Sequence, residues 1–238
     1  MAITNTSDEI KEIIDAYNVL IKNIENKATS SEDGRAYGGI IRAGKGKLTE
    51  SIAKLLVQIS WKRLNQDPNR LKIIGRQIKI PINKEYITKI ELPVIKNYIT
   101  TNLENYKYKY KPDVLVAIDD KIVLEIECKT YTENAMFKRI LVDATLLTTQ
   151  FPNLKFVLLQ LESQLTGDYS ELNDITYGSK STHTLLSYFN IDLHIITLLQ
   201  GERNIKKPIH KPEFFKPLTK KSLENAIQEI SEILKGCI

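Results

Sequence analysis

Residues 111–129 read KPDVLVAIDDKIVLEIECK, and the reading of this stretch decides the fold. Val114 to Ile118 is a short apolar run, Asp119-Asp120 a tight polar turn, and Lys121 to Cys128 a second run, so the stretch is predicted to form a β-hairpin. The first strand is apolar at every position, which suits a sheet covered on both sides. On the second strand, side chains two residues apart share a face at a spacing of ~7 Å. Val123, Glu125, Glu127 and Lys129 are therefore expected on one side, and Ile122, Leu124, Ile126 and Cys128 on the other. A solvated face would account for the three charges on its own. In a covered sheet, however, burying them is costly unless they pair or bind an ion.

Working outward, Thr132 to Thr149 has helical spacing at Phe137, Ile140, Leu141, Ala144 and Leu147, and Phe151-Pro152-Asn153 ends it. Lys155 to Leu161 is another apolar strand. A hairpin followed by a strand–helix–strand unit implies an α/β fold with a central mixed β-sheet flanked by helices. Upstream, Ile10, Ile13, Ile14, Tyr17, Leu20, Ile21 and Ile24 define a first helix, which should end before a loop at Ser30, Ser31, Asp33 and Gly34. A second helix is expected from near Lys47–Thr49, with Ile52, Leu55, Leu56 and Ile59 inward, stopping before Pro68. Leu71 to Ile82 reads as extended, and Glu91 to Lys107 fits either helix or strand. Downstream come a polar stretch from Glu162 to Thr182, a short helix, a strand at Asp192 to Gln200 and a Lys/Pro-rich loop from Gly201 to Pro217. A final helix at Lys220 to Lys235 stops at Gly236.

With 42% hydrophobic and 26% charged residues, the 238-residue chain excludes wholesale disorder and collagen-like or mucin-like classes, and its length suits one domain over residues 1–238. Thirty-four Lys+Arg against 29 Asp+Glu leaves +5, which permits a polyanionic partner without demanding one. Two cysteines, Cys128 and Cys237, are too few for a disulfide framework or a four-thiolate metal site, which points to a reducing cytoplasm. The chain has no apolar run of membrane-spanning length, and Met1 to Glu12 does not resemble a signal peptide. Gly39 to Lys45 satisfies GxxxxGK, but Gly46 stands where a phosphate loop requires Ser or Thr. The segment reads instead as a flexible basic loop able to touch phosphate through Arg35, Arg42, Lys45 and Lys47. His183, His194 and His210 lack metal-ligand spacing; His194, inside an apolar strand, reads as a hydrogen-bonded structural residue, and Cys128 as core.

Pro112-Asp113, thirteen intervening residues and then Glu127-Cys128-Lys129 resemble the PD-(D/E)xK nuclease superfamily, particularly Type II restriction endonucleases. The resemblance covers Lys111 to about Leu161 and implies a restriction-endonuclease-like catalytic core at about 106–162. It implies Mg²⁺-dependent hydrolysis of double-stranded DNA in a restriction-modification system. Asp113 and Glu127 would be the metal ligands and Lys129 the residue that orients or helps deprotonate the attacking water. Glu50 on the second helix could match an acidic residue that family members often carry before the core. Glu125 would be a second ligand or a partner for Lys129. A homodimer reading a palindromic site would match the duplex dyad. Lys107, Lys109 and Lys111 alternate with Tyr106, Tyr108 and Tyr110, giving either a phosphate-contacting ridge or a lysine-guarded edge strand. Arg203, Lys206, Lys207, His210, Lys211 and Lys216 could serve similarly on the other side. Two alternatives remain open: a repair or recombination nuclease of the same superfamily, and a non-catalytic α/β nucleic-acid-binding protein whose Glu125, Glu127 and Lys129 form a structural charge network.

Overall fold

A computed structural model describes residues 6–29, 34–173 and 175–238, and the side chains of all of these except 25–29 and 34–38. Two long helices come first, α1 (Thr6–Thr29) and α2 (Gly34–Arg63). Strands β1 (Leu71–Ile74) and β2 (Ile78–Pro81) follow, then short helices α3 (Lys84–Thr88) and α4 (Pro93–Thr101), then β3 (Lys107–Tyr110). The hairpin is β4 (Val114–Ile118) and β5 (Lys121–Glu133), and it leads into α5 (Asn134–Thr148) and β6 (Lys155–Gln164). Helix α6 (Lys180–Leu186), strand β7 (Leu193–Thr197) and helix α7 (Lys220–Lys235) complete the order.

The central sheet runs β1-β4-β5-β6-β7, antiparallel across β1, β4 and β5 and parallel across β5, β6 and β7, so the expected mixed sheet is present. Helices α1, α2 and α7 cover one face: Tyr17, Ile21, Ile52, Leu56, Ile227 and Ile230 pack on Val116, Leu124, Ile126, Val157 and Leu159. On the opposite face, Phe137 and Leu141 of α5 pack on Leu158. Ala144 and Leu147, also from α5, pack on Leu115 and Phe156 together with Ile78, Ile80 and Tyr110. Each Val, Leu, Ile or Phe among them, fully buried, contributes roughly 1.5–3 kcal/mol. This two-sided cover is why β4 is apolar at every position.

The chain turns from β4 to β5 through Asp119 (φ 48) and Asp120 (φ 65), both left-handed, as a two-residue hairpin turn with right-handed strand twist requires. Arg70 grips Asp119 with Nε and Nη2 at 3.0 and 2.6 Å, and Lys72 Nζ lies 2.6 Å from Asp120. Just beyond the turn, Ala117 pairs with Ile122 but Val116 with Leu124, so Val123 is an extra, bulged residue. The bulge corrects the alternation expected from sequence. Val123 packs with Leu124 and Ile126, and Ile122 with Leu115 and Phe156, whereas Glu125, Glu127 and Lys129 keep their common face.

Two further expectations are corrected. Gly39 to Gly46 is not a loop but part of α2, which begins at Gly34. Glycines lower helix propensity, yet Gly44 is where α1 crosses: a Cβ there would come 2.7 Å from Ile24 Cδ1. The 71–82 segment divides into β1 and β2, and β2 leaves the main sheet to pair with β3 in a separate two-stranded sheet. Within 91–107, Pro93 opens α4 and only Lys107 is strand. The Ser30, Ser31 and Asp33 loop lies outside the described residues, as does the Arg35 side chain. No helix among the described residues is long and apolar enough to cross a membrane.

His194 on β7 ties the sheet to α7, with Nδ1 3.1 Å from Glu229 Oε1 and Nε2 3.4 Å from Asp192 Oδ1. The hydrogen bond to Glu229 and the charges of Glu229 and Asp192 raise the imidazole pKa above 6.5, against partial burial and nearby Lys155. A pKa raised by folding contributes stability fully present below the unfolded value and lost as pH rises through the folded one. The stability difference between wild type and His194→Gln, read by urea denaturation, should therefore be greatest at about pH 6 and shrink as the pH is raised well past the ordinary His value of about 6.5. A difference independent of pH would contradict this.

Candidate active site

Asp113 immediately precedes β4, and Glu127 and Lys129 lie on the facing stretch of β5, so hairpin register alone brings the three together. Asp113 Oδ2 accepts the backbone N–H of Cys128 at 2.8 Å, and Lys129 Nζ is 3.7 Å from the same oxygen. The Lys129 ammonium also donates to Glu127 Oε1. Tyr110, at the end of β3, places its hydroxyl 3.0 Å from Glu125 Oε1 and 3.4 Å from Glu127 Oε2. Asp113, Glu127, Lys129 and Tyr110 border a cleft of about 440 Å³, whose other walls are Tyr108, Lys109 and Lys111 on one side and Arg139 and Asp143 of α5 on the other; Glu125 lies buried behind it.

Electrostatics follow from burial. Glu125 is only 3% exposed, and desolvation with the nearby Glu127 charge pushes its carboxyl well above the usual range, against the Tyr110 hydrogen bond. Burial likewise raises Glu127, with Asp113 adding to the effect and Lys129 opposing it. Burial works against the Lys129 ammonium, but Glu127 and Asp113 more than offset it and its pKa is raised, so it stays a cation. The Cys128 thiol points into the core and is held protonated by desolvation, as expected of a core residue. Among the described residues no three His, Cys, Asp or Glu side chains are already gathered as metal ligands. The donor set nonetheless suits a hard divalent cation: hard carboxylate oxygens crowded on a half-buried face and balanced by an ammonium.

The other residues singled out from the sequence are more scattered. Glu50 projects from α2 on the opposite side of the sheet, where its charge reaches Cys128, and it does not line the cleft. Glu125 partners Tyr110 rather than Lys129. Lys109 and Lys111 are exposed at the cleft, while Lys107 pairs with Glu104. Arg42 and Lys45 sit on helix α2, and both border a second cavity, of about 500 Å³, which also touches Lys129. Arg42 is exposed, but Lys45 is buried with Nζ 3.2 Å from His210 Nδ1, so it is a core cation rather than part of a flexible basic loop. In the 201–217 segment, Arg203 stacks on Tyr131 at 3.5 Å and Lys216 pairs with Glu162 at 2.9 Å, whereas Lys206 and Lys207 are exposed.

Sequence reasoning missed Arg139, Asp143 and the hydroxyl role of Tyr110. The signal for the first two was present: four residues apart, they share a helical face beside the apolar stripe of α5. Asp143 Oδ1 is 3.4 Å from the Tyr108 hydroxyl, and its own pKa is raised by burial. Nothing in the sequence separated Tyr110 from the other tyrosines of the alternating segment, because its role depends on β3 folding back over β5.

No protein-family model matches the chain. A curated relative from Desulfomicrobium norvegicum, "Type II restriction enzyme DdeI", is 49% identical over 233 residues, covering 96% of this chain and 97% of that protein. Solved structures with a similar outline include the Type IIF restriction endonuclease Bse634I with cognate DNA, at 11% identity and TM-score 0.46 over 94% of this chain and 86% of that one. Another is the native BbvCI A2B2 tetramer, at 12% identity and TM-score 0.35, over 98% and 90%. Half of all positions shared along essentially the full length of both chains places this protein in the family of Type II restriction enzymes.

Proposed function

We propose that the protein is a Mg²⁺-dependent endodeoxyribonuclease of a restriction-modification system, acting on double-stranded DNA in the cytoplasm, with the whole chain as one catalytic unit. The observation that carries this reading is the convergence of Asp113, Glu127 and Lys129 at one cleft in a chain so similar to a Type II restriction enzyme. Asp113 and Glu127 would hold the metal, with Glu125 behind them and Glu50 outside the ligand set. When bound, Mg²⁺ would supply Lewis-acid neutralisation of phosphate charge. Lys129, beside Glu127 and Asp113, would orient or help deprotonate the attacking water and offset charge on the phosphate. Asp113 keeps its orientation through the Cys128 N–H, so the register of the hairpin sets where the reaction occurs. The +5 net charge and the exposed Lys109 and Lys111 at the cleft favour a polyanion there.

Incubation with plasmid and phage DNA should give discrete fragments with Mg²⁺ and none with EDTA; a smear or intact DNA in Mg²⁺ would reject site-specific cleavage. Loss of a ligand worth several kcal/mol of charge stabilisation should reduce cleavage by Asp113→Ala or Glu127→Ala about 10³-fold or more. Site binding in Ca²⁺ should survive, because a carboxylate repelling phosphate is also removed. Full activity of Glu127→Ala would move the ligand role to Glu125.

Replacing Lys107, Lys109 and Lys111 together with Ala should weaken binding to every sequence and flatten the log–log salt slope by ~0.9 for each phosphate no longer neutralised. Lys109 and Lys111 should account for most of it, since Lys107 is already paired with Glu104. An unaltered slope would leave these residues as guards of the β3 edge.

We further infer a twofold homodimer reading a palindromic site, because one hydrolytic centre per chain requires two chains for a concerted duplex break. Light scattering at micromolar concentration should give about twice the 27.3 kDa chain mass. A single chain both free and in the cleavage-competent DNA complex would exclude the dimer.

A further inference from the structure

Tyr110 is 8% exposed, and its ring packs with Ile78, Ile80 and Leu115, which by itself would be a structural role. Its hydroxyl is placed differently. It reaches past the apolar cluster to the two carboxylates on the charged face of β5, at 3.0 Å from Glu125 and 3.4 Å from Glu127. The other Glu127 oxygen is engaged by Lys129. One Glu127 oxygen thus faces an ammonium on its own strand, and the other lies beside a phenol from another sheet.

We propose that Tyr110 is a positioning residue for the metal site: its hydroxyl satisfies Glu125 and thereby keeps Glu127 and Lys129 aligned at the cleft. This rests on the reading of Glu127 as a metal ligand. A phenol has one proton to give. The shorter distance directs it to Glu125, and the longer one limits how far Glu127 can rotate. Without the hydroxyl, Glu125 Oε1 becomes a buried acceptor with no donor, a costly state that the site would relieve by rearranging. Lys129, on the same face of β5 and bonded to the neighbouring Glu127, is the donor that would turn towards it. That movement would take Lys129 from Glu127 and leave the outer carboxylate loose. The same residue ends the strand that carries Lys107 and Lys109, so the ridge facing DNA and the metal-binding carboxylates are joined through one side chain.

Tyr110→Phe keeps the ring and removes only the hydroxyl. Mn²⁺ binding to the protein–DNA complex, followed by electron paramagnetic resonance, should weaken about tenfold, the equivalent of one buried charge-assisted hydrogen bond. The Mg²⁺ concentration for half-maximal cleavage should rise in parallel, while DNA affinity in Ca²⁺ stays at the wild-type value and the thermal midpoint falls by only a few degrees, as loss of one buried hydrogen bond implies. Unchanged Mn²⁺ affinity would overturn the proposal. So would a loss confined to DNA affinity, which would assign the hydroxyl to the DNA surface instead. Glu127→Ala in the same assay separates the two levels of inference. Wild-type Mn²⁺ affinity in Glu127→Ala would remove the metal-ligand reading itself. Weakened binding there with no effect of Tyr110→Phe would remove only the role of Tyr110.

Discussion

One hydrogen bond sets the geometry on which the rest of the site depends: the Asp113 carboxylate accepts the Cys128 backbone N–H at 2.8 Å, across the open end of the hairpin. The donor is a backbone amide of β5, which pairing with β6 holds in place at Cys128–Leu159, so the carboxylate is anchored to the sheet backbone rather than to another side chain. The sheet is firm because β4 and β5 are buried under helices on both faces. Glu127 and Lys129 thus stand on a strand of a sheet covered on both faces, and Asp113 directly before the partner strand, where the proposed chemistry would be well preorganised.

Burial of charge is the cost of this placement. Glu125 and Glu127 share a face that, one residue away on either side, is hydrophobic core. The protein offsets that cost with Lys129 and with the Tyr110 hydroxyl, while burial pushes both carboxyl pKa values upward. An arrangement that stores crowded negative charge behind a single ammonium is poised to accept a cation, and burial keeps the local dielectric low enough for that attraction to matter.

Much of this was legible in the chain. The hairpin, α5, β6 and α7 follow from apolar periodicity and turn chemistry, and α7 has the expected bounds, whereas β5 runs past its expected end at Cys128 to Glu133, into the expected start of α5. The face shared by Glu125, Glu127 and Lys129 follows from the twofold strand repeat. What escaped was set by tertiary packing. Gly39, Gly44 and Gly46 look like loop residues, but helix α2 runs through them because Gly44 accommodates the crossing of Ile24. Lys45 looks like surface charge, but its helix turns it towards His210. Tyr110 and Asp143 lie 33 positions apart and meet only because β3 and α5 pack on the same side of β5.

The bulge at Val123 has a consequence for how this hairpin tolerates change. A strand has a parity, and inserting one residue ordinarily inverts every side chain beyond it. Here the extra residue sits between the turn and the site, and the sheet absorbs it locally, so that Ile122 and Leu124 each face the side they would face if Val123 were absent. The turn end of β5 and the end that carries Glu127 and Lys129 are thereby out of phase by one residue yet both correctly seated. Length variation near Asp119-Asp120 can be taken up at the bulge without inverting Glu127 and Lys129. The hairpin keeps its chemistry in frame while its tip is free to drift.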